Sequence, residues 1–104
     1  TLRNNTITDN GRYGFYSWMF RSSTVQNNTF SSNGNTGIYY SGTYTKFIDN
    51  IACNNVASYY SDDFYANTNS WTTPSSCSGS TGNVFTDVIP CKGTTSYPEY
   101  IACP

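Results

Sequence analysis

The first half of the chain repeats itself, and that repeat constrains the fold more than any other feature. Leu2-Arg3-Asn4-Asn5-Thr6-Ile7-Thr8-Asp9-Asn10 matches Val25-Gln26-Asn27-Asn28-Thr29-Phe30-Ser31-Ser32-Asn33, with every pair 23 positions apart. Gly14-Phe15-Tyr16 falls on Gly37-Ile38-Tyr39 at the same offset. A weaker third copy, Phe47-Ile48-Asp49-Asn50-Ile51-Ala52-Cys53-Asn54-Asn55, follows 22 positions after the second. A fixed period of this length signals stacked supersecondary units, each too small to bury its apolar face alone. Within a copy, short alternating apolar and polar runs are separated by Asn, Gly and Asp, and no window carries a helical period. Each copy is therefore predicted to be one coil of strands. Stacking at about 4.8 Å pairs every strand in parallel with its equivalent in the next coil.

That stacking predicts columns of like residues. Leu2, Val25 and Phe47 form one inward column, Ile7, Phe30 and Ala52 a second, and Phe15, Ile38 and Tyr60 a third. Asn5, Asn28 and Asn50 are predicted to stack as an amide ladder, and Asn10, Asn33 and Asn55 as another. Asn suits the place because one amide both donates and accepts. The ladders matter because Leu, Ile, Val and Phe total only 17 of 104 residues, whereas Thr, Ser and Asn total 42. Disorder is the usual meaning of such apolar poverty, but a net charge of −1 and 17% aromatic residues argue for a folded all-β chain.

These elements resemble the right-handed parallel β-helix repeats of pectate-lyase-like and related surface proteins. The resemblance rests on residues 4–10 and 27–33, the Gly-Phe-Tyr and Gly-Ile-Tyr elements, and Ile48-Asp49-Asn50-Ile51-Ala52-Cys53-Asn54-Asn55. It covers about residues 1–60 and implies a solenoid of three to four coils. It says little about activity, since the fold hosts lyases, hydrolases, epimerases, adhesins and fibres.

The remainder, 61–104, is expected to be a loop-rich, cysteine-containing cap on the same domain, with 81–89 as a degenerate fourth coil. Cys53, Cys77, Cys91 and Cys103 form no C-x-x-C pair, and the chain has no His, so zinc is disfavoured. An even count in a small polar chain points to two disulfides and an extracellular or cell-surface setting. Three connectivities are open; the short enclosed turn favours Cys91 with Cys103, leaving Cys53 with Cys77. The chain starts without Met and is expected to be a processed or excised piece.

Chemistry is thinly provided for. Five Lys+Arg among six acids cannot build a phosphate-binding row, which excludes nucleic acid, and no apolar run approaches a membrane span. The acids do not recur at the repeat offset; Asp62-Asp63 is the one adjacent pair and is read as a solvated turn rather than a site. No catalytic, metal or cofactor residues are assigned. Tyr16 and Tyr39 share a register and form a candidate exposed aromatic ladder, for subunit contacts or sugars. Asn4 and Asn27 head Asn-Asn-Thr sequons and are candidate N-glycosylation sites, although both read more simply as turns. The expectation is a non-enzymatic extracellular structural protein, a subunit of a filament, fibre or layer joined to copies of itself or to a longer β-helix chain. The alternative is a carbohydrate-binding or carbohydrate-processing module.

Overall fold

The computed structural model describes residues 1–56, 63–66, 79–86, 95 and 97–104. Among these residues are eleven short strands: β1 (Leu2–Arg3), β2 (Thr6–Thr8), β3 (Phe15–Arg21), β4 (Thr24–Gln26), β5 (Thr29–Ser31), β6 (Ile38–Thr43), β7 (Lys46–Ile48), β8 (Ile51–Cys53), β9 (Phe64–Ala66), β10 (Asn83–Phe85) and β11 (Tyr100–Ala102). They form three parallel sheets running along the stack. The first has order β1-β4-β7, the second β2-β5-β8-β10-β11, and the third β3-β6-β9.

Register follows the repeat. Leu2 lies over Val25 and Val25 over Phe47; Ile7 lies over Phe30, Phe30 over Ala52, and Ala52 over Phe85. In the third sheet Phe15 lies over Ile38 at an offset of 23, but Ile38 lies over Phe64 at 26. The third inward column thus continues through Phe64; Tyr60, expected there, lies outside the described residues. The coil has gained four residues between its second and third sheets, and a fixed offset of 22 slips past the right ring.

The change of period from 23 to 22 also has a location. Ser17 pairs with Tyr40 at 23 and Phe20 with Gly42 at 22, with a bulge between them. A β-bulge inserts a residue in one strand without disturbing pairing on either side. The extra residue of the first coil is held in β3, so the other two sheets stay in register.

Corners are made by residues with left-handed backbone. Asn4 (φ 58), Asn27 (φ 55), Asp49 (φ 54) and Gly82 (φ 71) turn the chain from the first sheet to the second. Asp9, Ser32 and Asn54 do so at the far end of the second sheet. Asn, Asp and Gly accept that conformation at least cost, which explains their recurrence. Gly14 and Gly37 open the third sheet because a side chain has no room: a Cβ on Gly14 would stand 2.7 Å from the Gly37 oxygen and 2.8 Å from Asn33 Nδ2.

The core is the interior of the stack. Val25, Phe30, Ile38, Tyr40, Phe47, Phe64 and Phe85 are fully buried. Phe47 meets Phe64 edge to face at 5.1 Å, and Phe64 stacks on Phe85 at 4.7 Å. Each such side chain contributes roughly 1.5–3 kcal/mol by leaving water. Leu2, Ile7 and Phe15, in the first coil, are only partly covered.

Candidate functional site

The polar residues are arranged first by the ladders. Asn5 donates its backbone N–H and Nδ2 to Asn28 Oδ1, both at 3.0 Å. Asn28 donates in the same way to Asn50 Oδ1, at 3.1 and 3.0 Å, and Asn50 to Asn83 Oδ1, at 3.1 Å each. The expected three-member ladder therefore has a fourth member. Each amide also donates to a backbone carbonyl: Asn28 to Leu2, Asn50 to Val25, Asn83 to Phe47. The corner residue before each ladder Asn turns the chain, and the amide satisfies the backbone the corner leaves open.

The second ladder, Asn10 to Asn33 to Asn55, obeys the same rule and ends on an acid. Asn55 donates its N–H and Nδ2 to Asp63 Oδ1 at 3.0 and 2.8 Å. Asp63 is 1% exposed and also accepts from Thr86 Oγ1. This corrects the expectation of a solvated Asp62-Asp63 turn: Asp63 is an interior ladder member, and Asp62 lies outside the described residues. A carboxylate accepts but does not donate, so the ladder stops there. The signal was weak in sequence because the insertion before Phe64 moves Asp63 off the 22-residue offset.

The cysteine pairing also differs from expectation. Cys103 is bonded to Cys53, 50 positions away, and not to Cys91; Cys77 and Cys91 lie outside the described residues. Ile51-Ala52-Cys53 recurs as Ile101-Ala102-Cys103, and both triplets are strands of the second sheet, β8 and β11. That recurrence outweighs the short loop between Cys91 and Cys103 as a guide.

The aromatic ladder runs along the outside of the third sheet. Tyr16 stacks on Tyr39 with centroids 4.8 Å apart and planes at 21°, and Tyr39 meets Tyr65 at 5.0 Å and 34°. Tyr13 packs beside both Tyr16 and Tyr39. Rings one strand spacing apart spend their faces on each other. A sugar ring needs an open aromatic face, so this column is suited to axial stacking. Trp18, 67% exposed, meets Tyr16 edge-on at 6.4 Å beside that pile.

The sequon residues Asn4 and Asn27 are exposed corner residues, and Asn27 Nδ2 donates to Asn4 Oδ1 at 2.8 Å. At the other end of the second sheet, Asp9, Ser32 and Asn54 edge an open groove of about 430 Å³ floored by Gly11, Gly34 and Val56. Asp9 and Asp49 occupy exposed corners, and Glu99 accepts from Thr81. Among the described residues no three His, Cys, Asp or Glu side chains gather where they could hold a metal ion. No helix among them is long and apolar enough to cross a membrane.

Comparison with known proteins agrees with this geometry. No curated protein and no solved structure matches the chain. A family model described as a right-handed β-helix region matches residues 1–87. Parallel three-sided coils, asparagine ladders and that match together make the chain a member of the right-handed β-helix family.

Proposed function

We propose that the chain is a non-enzymatic structural module of an extracellular filament, fibre or layer, joined end to end through β-helix coils. One observation carries this reading. Coils are joined by the same devices at every level of the stack: parallel strand edges, the Asn5–Asn28–Asn50–Asn83 ladder, the Tyr16–Tyr39–Tyr65 pile, and columns of apolar side chains. Parallel edges of this kind are templates for another chain. The Cys53–Cys103 bond supports an oxidising setting. The partner is a further coil, from a second copy or a longer β-helix chain. The test is light scattering and electron microscopy of the purified chain, oxidised and reduced. Mass that grows with concentration and elongated particles are expected; a monomer at millimolar concentration in both states refutes the reading.

A carbohydrate-binding role is the second reading, favoured by the groove along Asp9, Ser32 and Asn54, whose polar groups recur at strand spacing. A glycan array with assays for reducing ends and unsaturated products separates the two; silence in all of them removes this one.

A further inference from the structure

Register sets the tyrosine pile of the third sheet. Tyr16 is paired with Tyr39 across β3 and β6, and Tyr39 with Tyr65 across β6 and β9. Ile38 and Tyr40, on either side of Tyr39, are fully buried, so the two-residue period of a strand puts Tyr39 on the outer face. Tyr39 stands at an interior level of the stack, with the Tyr16 ring at 4.8 Å on one side and the Tyr65 ring at 5.0 Å on the other. Tyr13 meets it edge-on at 5.4 Å. Of these contacts, Tyr16 with Tyr39 is the one with nearly parallel planes, at 21°.

Two phenols held in contact are the reactants of an oxidative coupling. Each gives up one electron and its O–H proton to become a phenoxyl radical. The two radicals join carbon to carbon at ring positions ortho to oxygen, and the two displaced ring hydrogens move to the oxygens, which restores both phenols. One hydrogen peroxide takes up the two electrons and two protons and becomes two waters. The paired backbones of β3 and β6 are already one strand spacing apart, so side-chain torsions alone bring two ring edges together. Exposure by itself would choose other residues. Tyr44 is 55% and Tyr97 57% exposed, against 45% for Tyr16, yet neither makes a ring contact among the described residues.

We propose that Tyr16 and Tyr39 are a modification site, joined within one chain as a dityrosine by a peroxide-driven one-electron oxidant. The bond staples β3 to β6 across 23 residues. Cys53–Cys103 ties the second sheet, and among the described residues nothing covalent otherwise ties the third. A closed loop of this kind stabilises the fold as a disulfide does, by restricting the unfolded chain. The staple needs no second copy, so its test stands apart from the end-to-end reading.

The test treats the dilute purified chain with limiting hydrogen peroxide and a catalytic amount of a haem peroxidase. Dityrosine fluorescence and mass spectrometry of tryptic peptides are the readouts. Trypsin cuts after Arg12, Arg21 and Lys46, so the staple joins peptide 13–21 to peptide 22–46. The expected product is a monomer lighter by two hydrogens that yields this joined peptide. Tyr16→Phe and Tyr39→Phe, which keep the rings and remove the hydroxyls, are each expected to lower its yield more than about tenfold, because a pair held in contact reacts as one molecule. Tyr44→Phe, in the same tryptic peptide as Tyr39, is expected to leave the yield unchanged. Joined peptide that persists in either pile variant overturns the proposal, as does coupling that runs instead between chains through Tyr44 or Tyr97.

Discussion

Replacing Asn50 with alanine tests the ladder where it is most enclosed. Asn50 is 0% exposed, and its side chain takes part in four hydrogen bonds. Oδ1 accepts from the N–H and Nδ2 of Asn28, and Nδ2 donates to the Val25 oxygen and to Asn83 Oδ1. Asn83 Oδ1 keeps a donor, the backbone N–H of residue 50, and Asn28 Nδ2 keeps the Leu2 oxygen. The Asn28 N–H and the Val25 carbonyl lose these partners inside the stack. At about 1 kcal/mol for each bond made, with a desolvation penalty for buried groups left unpaired, Asn50→Ala is expected to cost about 4 kcal/mol. That is a large share of the roughly 5–15 kcal/mol that holds a small domain. Asn5→Ala is the control: its side chain is half-buried and donates to the Arg3 oxygen and Asn28 Oδ1, so about 1–2 kcal/mol is expected. The assay is urea unfolding of both variants under oxidising conditions, followed by circular dichroism. If Asn50→Ala costs no more than Asn5→Ala, burial does not set the strength of the ladder and the reasoning fails.

Three further outcomes are expected. Gly14→Ala, whose Cβ would press on the Gly37 oxygen and Asn33 Nδ2, is expected to lose about 2 kcal/mol or more in urea unfolding, whereas Gly11→Ala, with nothing within 4 Å, is tolerated. Asp63→Ala leaves the buried Asn55 amide without its acceptor and is expected to cost about 3 kcal/mol, while Asp63→Asn keeps an oxygen there and costs under about 1 kcal/mol; thermal melts separate them. Burial pushes the Tyr40 phenol above its ordinary 10.0, with hydrogen bonding to Thr45 opposing the shift. Folding thus favours the protonated form, and that contribution is complete below the unfolded phenol's value and is lost as pH rises through the folded one. Urea midpoints are therefore expected to fall above about pH 10, and more steeply for the natural protein than for Tyr40→Phe.

The sequence was most readable where the chain counts in 22s and 23s. Ile7, Phe30 and Ala52, and Asn5, Asn28 and Asn50, declare themselves because nothing intervenes to change the count. Phe64, Tyr65 and Asp63 were hidden because a four-residue insertion shifts them together, so one lapse of register concealed a core ring, a surface ring and a ladder end. Asp63 carried a second disguise, since paired aspartates read as a turn and an acid says nothing by itself about being enclosed. The disulfide was obscured by weighing loop length over likeness: the two Ile-Ala-Cys triplets occupy one sheet, and sheet geometry brings distant cysteines together.

The one-way direction of the ladders has an electrostatic consequence. Every amide-to-amide bond runs from an N–H in the earlier coil to an oxygen in the later one, while the other Nδ2 hydrogen of Asn28, Asn33, Asn50, Asn55 and Asn83 reaches back to a backbone carbonyl of the earlier coil, so the ladder bonds are all aligned. In an α-helix such alignment leaves positive character at one end, where an acid is welcome. Here Asp63 stands at the end toward which the N–H groups of Asn55 point, and its Oδ1 accepts both. The second ladder thus has a direction of its own and ends on an acceptor, a polarity usually credited to a helix and built here from strands and corners.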